Sequence, residues 1–138
     1  MKLSEGENHV ISERDGFAVC QIWSRPDLSS EEGAKNAGQM VTFLRSQVLQ
    51  AGTKYRGVIF DVRRGPSVFG PKTRAVLEEL LARAVERAVR VAILTGDSAT
   101  QQLQFRSLCS TSPSMTQVFD SEPAALHFLR SQPQPPKR

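Results

Sequence analysis

A carboxylate at the end of an apolar strand can serve as a nucleophile, a metal ligand or a phosphate acceptor. Asp61 holds that position, directly after the unbroken apolar run Gly57-Val58-Ile59-Phe60. A second end of this kind, Leu94-Thr95-Gly96-Asp97, offers a hydroxyl and another acid after Val91-Ala92-Ile93. Between the two, Arg63, Arg64 and Lys72 bracket Ser67, and Thr73 lies in the first turn of the next predicted helix. Cations beside the free amides of a helix N-terminus favour an anion. That anion is a phosphorylated hydroxyl, for which Ser67 and Thr73 are the candidate acceptors, or an acidic side chain of a partner. Simpler readings stand beside these: Asp61 accepts hydrogen bonds from loop amides, and the arginines are solvated loop charges that contribute little to folding.

Enzyme schemes are short of parts. The pairing of Asp61 with Thr95 resembles haloacid-dehalogenase phosphatases, but their second acid would fall at Arg63. It also resembles two-component receiver domains through Ile59-Phe60-Asp61-Val62-Arg63 and Ile93-Leu94-Thr95. A receiver needs an acidic pair after its first strand, where this chain has Ser24-Arg25-Pro26-Asp27, and a Lys-Pro after its last, where it has Asp120-Ser121. A degenerate receiver-like signalling domain using Asp61 and Thr95 is the alternative this leaves. His9, on a predicted edge hairpin, and His127, between Leu126 and Phe128, have no nucleophile elbow or cysteine partner, so both read as packing or exposed side chains. Cys20 and Cys109 are far apart and read as buried small hydrophobes; no metal or cofactor is implied.

The elements that must position these residues follow from periodicity. His9–Glu13 and Phe17–Trp23 are β-rich runs joined at Asp15-Gly16, a tight-hairpin signal. Ser29 with Glu32 three positions on is a capping box; Ala37, Val41, Leu44 and Val48 then recur at helical spacing, and Gly52 is the expected stop. Gly57–Phe60 lacks alternation, as a strand buried on both faces does. The strongest helical stripe follows the 62–73 loop, with Glu79→Arg83 and Glu86→Arg90 as wet-side pairs. Val91–Leu94 is a second buried strand, and Asp97 or Ser98 caps a helix whose apolar points are Leu103 and Leu108, with Phe105 nearby. Met115–Phe119 is a last strand, and Asp120 or Ser121 caps a final helix carrying Ala125, Phe128 and Leu129. The order β-β-α-β-α-β-α-β-α predicts a single α/β domain with a mainly parallel five-strand sheet, opened by a hairpin and carrying four helices. Residues 1–8 and 131–138 are expected as loose tails, the second rich in proline. Sites in such sheets gather at the carboxyl ends of the strands.

Length and composition agree. The chain has 138 residues, 39% hydrophobic, which suits one domain and excludes a disordered chain. No apolar run approaches membrane-spanning length. With an acidic start lacking an apolar core and two unpaired cysteines, a cytoplasmic location is the expectation. Net charge is +4, and residues 54–90 alone carry +5. Spread over a strand, a loop and a helix, with no aromatic residues interleaved among the arginines between Arg74 and Arg90, that charge reads as a solvated face rather than a nucleic-acid footprint.

Element order and two segments resemble the STAS domain of bacterial anti-sigma-factor antagonists and sulphate-transporter tails. Residues 56–62 with the following loop and amphipathic helix are similar to the central strand and partner-facing helix of that family. Val118-Phe119-Asp120-Ser121-Glu122-Pro123-Ala124-Ala125-Leu126 is similar to its closing segment. The resemblance spans residues 9–130. The family's phosphoacceptor run is absent: its position falls at Gly70-Pro71, with Ser67 and Thr73 the nearest hydroxyls. The chain therefore resembles a divergent branch sometimes grouped with lipid-binding CRAL-TRIO-type domains. The resemblance implies a non-enzymatic, regulatory module that binds another protein, a second copy of itself, or a small anionic or lipid ligand. Asp61, Arg63, Arg64, Ser67, Lys72, Thr73, Thr95 and Asp97 are the expected recognition residues, with Arg63 and Arg64 foremost.

Overall fold

The structure is a computed structural model and describes residues 1–131; the proline-rich segment after Ser131 lies outside the described residues. The strands are β1 (Lys2–Glu5), β2 (His9–Arg14), β3 (Phe17–Trp23), β4 (Gly57–Arg64), β5 (Val91–Leu94) and β6 (Thr116–Phe119). The helices are α1 (Ser30–Phe43), α2 (Pro71–Glu86), α3 (Ala99–Cys109) and α4 (Glu122–Arg130). The fold is α/β, and its six strands lie in sequence order across one sheet. β1, β2 and β3 pair antiparallel, whereas β3 to β6 run parallel.

Two expectations about the elements themselves change here, and two expected ion pairs are replaced. Residues 1–8 are not a loose tail, because Lys2–Glu5 adds a strand to β2 and makes the sheet six-stranded rather than five-stranded. The signal is weak because Lys-Leu-Ser-Glu carries one apolar side chain; the strand is held by backbone pairing, including Glu13 N–H to the Met1 carbonyl at 2.8 Å. Leu103, expected on the apolar stripe of α3, is 66% exposed, and Gln101 takes the inward position instead.

Local signals explain most boundaries. Asp15 and Gly16 both have positive φ (56° and 86°), the pair of conformations a two-residue I′ hairpin requires. Ser29 accepts from the Glu32 amide while the Glu32 carboxylate accepts from the Ser29 amide, so both arms of the capping box form. The helix gives way before Gly52, through a wider turn at Leu44–Val48 in which Leu49 N–H reaches the Leu44 carbonyl at 2.7 Å. Ser98 and Ser121, not Asp97 and Asp120, cap α3 and α4. On α2, Glu79 pairs across to Arg45 and Arg83 pairs with Glu86, in place of the expected Glu79–Arg83 contact. Arg90 donates to the Phe128 and Ser131 carbonyls rather than to Glu86.

Parallel strands that advance one place at a time, each joined by a right-handed crossover, put every crossover helix on the same face. Accordingly α1, α2 and α3 pack with Phe60, Val62, Ile93 and Cys20 on one face. The terminal helix α4 is no crossover and folds onto the other, where Ala125 and Leu129 meet Phe17, Ile59 and Leu94. β4 is therefore covered on both sides, as its unbroken apolar run predicts.

Candidate functional site

Alternation along β4 sorts the expected recognition residues onto different surfaces. Phe60 and Val62 face α1–α3, whereas Ile59 faces α4. Asp61 and Arg63 share the α4 side with Ile59, because residues two apart on a strand point the same way. Asp61 Oδ1 accepts from Arg63 Nε at 3.0 Å and from the Arg63 amide at 3.1 Å, while Oδ2 accepts from Arg63 Nη2 at 2.8 Å. Burial pushes the Asp61 carboxyl up, but these hydrogen bonds outweigh it and hold it below its ordinary value. The Asp61 hydrogen bond correspondingly raises the Arg63 guanidinium. Arg63 is thus committed to its own strand and is not a free loop cation. Both carboxylate oxygens of Asp61 are engaged.

The other residues fall elsewhere. Thr95 is buried, its amide donating to the Phe119 carbonyl at 2.9 Å. Asp97 is exposed on the β5–α3 turn. Arg64 and Ser67 are exposed, with Ser67 on the loop between β4 and α2. Lys72 and Thr73 form the first turn of α2, where the N-cap is Gly70, which provides no side-chain cap. Pro71 has no amide proton, so the Lys72 and Thr73 amides are the free donors of that end. Among the described residues, no group of three or more His, Cys, Asp or Glu side chains is placed to hold a metal ion.

The β4–α2 loop is pinned from below by two glutamines of α3. Gln101, 2% exposed, donates through Nε2 to the Val62 carbonyl at 2.7 Å and to the Pro66 carbonyl at 3.2 Å. Its Oε1 accepts from the Gly96 amide at 3.0 Å, so one side chain ties the β4 and β5 ends together. Gln104 Oε1 accepts from the Phe69 amide at 3.2 Å, and the Phe69 ring lies 5.1 Å from that of Phe105. The loop so held displays Val68, 60% exposed. Sequence reasoning missed Gln101; the Ser98-x-x-Gln101 spacing is a capping-box signature, but the side chain turns to the loops instead of to Ser98.

Beside this loop opens a cleft of about 570 Å³, between α1, α2 and the carboxyl ends of β3 and β4. Phe60, Val62, Met40, Leu77, Phe69 and Phe105 supply much of its apolar wall. His9 and Asn36, 3% and 6% exposed, also line it, as do Lys72 and Thr73 at the start of α2. His9 Nδ1 has no hydrogen-bond partner, and burial lowers the imidazole pKa. Cys20 and Cys109 are buried and their thiols pushed up by burial, so both are packing residues as read from the sequence. His127 is exposed.

Comparison with known proteins shows the fold. A solved NMR structure of a protein called TM1081 superposes with a TM-score of 0.62 at 13% identity, covering 96% of this chain and 98% of that one. No protein-family model matches the chain. No curated protein matches it either.

Proposed function

We propose that this domain is a non-enzymatic, regulatory protein-interaction module. Its recognition surface is the β4–α2 loop with the first turn of α2. The observation that carries this reading is the loop itself: Gln101 and Gln104 fix its backbone from beneath, yet Val68 at its tip stays 60% exposed. A loop held rigid in advance loses little conformational entropy when a partner arrives. An exposed apolar side chain on a segment that also carries cations suits a partner surface with an apolar pocket and an acidic rim. Arg64 and Lys72 supply those cations; Arg63, tied to Asp61, does not.

Affinity capture from the native cell, run in parallel with wild type and Val68→Asp, tests this. A protein retained by wild type, lost with Val68→Asp and rebinding wild type once purified is the expected result. Equal retention by both proteins places recognition elsewhere.

A further inference from the structure

We propose that the outer edge of β6 is a docking site for an extended, acid-bearing segment of a partner protein, which pairs with it as an added strand. The sheet has two edges, β1 and β6, and only one is defended. β1 carries Lys2 and Glu5, and its register with β2 shifts between Lys2 and Ser4. Charge and irregularity of this kind discourage a foreign strand from pairing with an edge. β6, Thr116-Gln117-Val118-Phe119, has no charge, no proline and an unbroken register with β5. Backbone groups remain unpaired along it. Val91 N–H donates to the Met115 carbonyl and Thr95 N–H to the Phe119 carbonyl, both at 2.9 Å, so the odd-numbered residues of β6 face β5. The N–H and C=O of Val118 and the C=O of Thr116 therefore point outward, where no strand follows among the described residues. The Thr116 amide is already taken, by the Ser112 carbonyl at 2.9 Å.

Beside this edge, on the α4 side, lies a groove of about 530 Å³. Half-buried Phe119 and Phe128, with ring centroids 5.4 Å apart, form its apolar wall. Val118, also half-buried, packs on the opposite face of β6. Successive side chains of an added strand alternate between the two faces, so apolar residues at consecutive positions meet Val118 and then the Phe119–Phe128 pair. Arg90 and His127 line the groove too, with no acid among its lining residues. Arg90 spends Nη1 on the Phe128 and Ser131 carbonyls, and its Nη2 has no partner among the described residues. An acidic side chain on the added segment complements that charge. Two other occupants fit less well. A second copy paired antiparallel through β6 sets both grooves on one face of the joined sheet and gathers Arg90 and His127 of each with no acid between them. Residues 132–138 carry prolines at 133, 135 and 136, which donate no amide hydrogen bond, and end in Lys137-Arg138.

A library of short random peptides displayed on phage, selected against the full chain, tests this, with the enriched peptides synthesised and titrated in solution. Enriched sequences should combine consecutive apolar residues with an Asp or Glu, bind saturably and slow hydrogen exchange at the Val118 amide. Methylating every second peptide amide, in the register that faces β6, should weaken binding by about tenfold or more, whereas the intervening register leaves affinity within about twofold. Replacing the peptide's acid by its amide should cost several-fold at low salt and less at high salt. Equal effects of the two methylation registers, or enrichment of no peptide that protects Val118, would overturn the proposal. So would protection of the Val118 amide in the free chain: if it rises with protein concentration a second copy holds the edge, and if it does not, residues 132–138 do.

Discussion

The guanidinium of Arg63 closes a two-point ion pair on the carboxylate of Asp61, two residues before it on the same strand, with contacts of 3.0 and 2.8 Å. The Asp61 side chain is 10% exposed and that of Arg63 43%, so the pair sits half in the protein, on the sheet face away from the cleft. This changes what charge reversal does at the two neighbouring arginines. Arg63→Glu should lower stability by about 1–2 kcal/mol, because it leaves a mostly buried carboxylate facing a like charge, tempered by solvent around Arg63. Arg64→Glu should leave the melting temperature within about a degree of wild type, as exposed charges away from such pairs do. Thermal melts of the two single variants decide it; equal melting points would mean that the ion pair contributes nothing.

The same pair fixes a pH dependence. The folded-state pKa of Asp61 lies below its unfolded value, so the unfolded chain binds the proton more readily. Its contribution is complete above the unfolded pKa of about 4 and is lost as pH falls through the folded value. Wild type should therefore exceed Asp61→Asn in stability at pH 7, with the gap closing below about pH 4. Denaturant titrations at pH 7 and pH 3 read this directly.

His9 acts in the same direction at higher pH. Burial lowers its pKa from 6.5, so the folded protein resists the proton that the unfolded chain accepts. Its effect is absent above pH 6.5 and becomes a loss of stability as pH drops below that value toward the folded pKa. The melting temperature should fall between pH 7.5 and 5.5 in wild type, and less steeply in His9→Gln. Parallel slopes would show that the ring is not protected from protonation.

Gln101→Ala removes the donor shared by the Val62 and Pro66 carbonyls and the acceptor of the Gly96 amide. A loss of about 2 kcal/mol is expected, since these groups lie where water does not readily replace the amide. Hydrogen exchange at Gly96 and Phe69 should rise with it. Unchanged protection at those amides would show that the loop is held by other contacts.

Ala88 ends α2 with φ of +56° while Val89 N–H reaches the Ala84 carbonyl at 2.9 Å and Ala88 N–H the Val85 carbonyl at 3.1 Å. This is a Schellman-type stop with an alanine where glycine fits without steric cost. Ala88→Gly should raise stability by up to about 1 kcal/mol, a few degrees in melting temperature. A lower melting temperature would mean that the glycine's extra freedom in the unfolded chain outweighs the relief.

Local periodicity and caps were sufficient for the α/β order, the buried parallel strands and the Ser29 cap; at two other helix starts an aspartate and a serine competed, and the structure selects Ser98 and Ser121. Those signals depend on neighbours within a turn or two of chain. Asp61 was expected at the end of its strand but lies inside it, and the period of a strand alone places Arg63 on its face. What pairing that produces depends on where the strand ends: β4 continues to Arg64, so Arg63 belongs to the sheet and not to the loop. β1 was invisible because an edge strand of mostly polar residues is specified by backbone groups on β2, not by its own side chains. The cleft was equally invisible. Its lining comes from β2, β3, β4, α1, α2 and α3, and only the packing of three helices on one face brings His9, Asn36 and Lys72 around one space. No interval in the chain encodes that meeting, because it is set by which face each crossover helix must take.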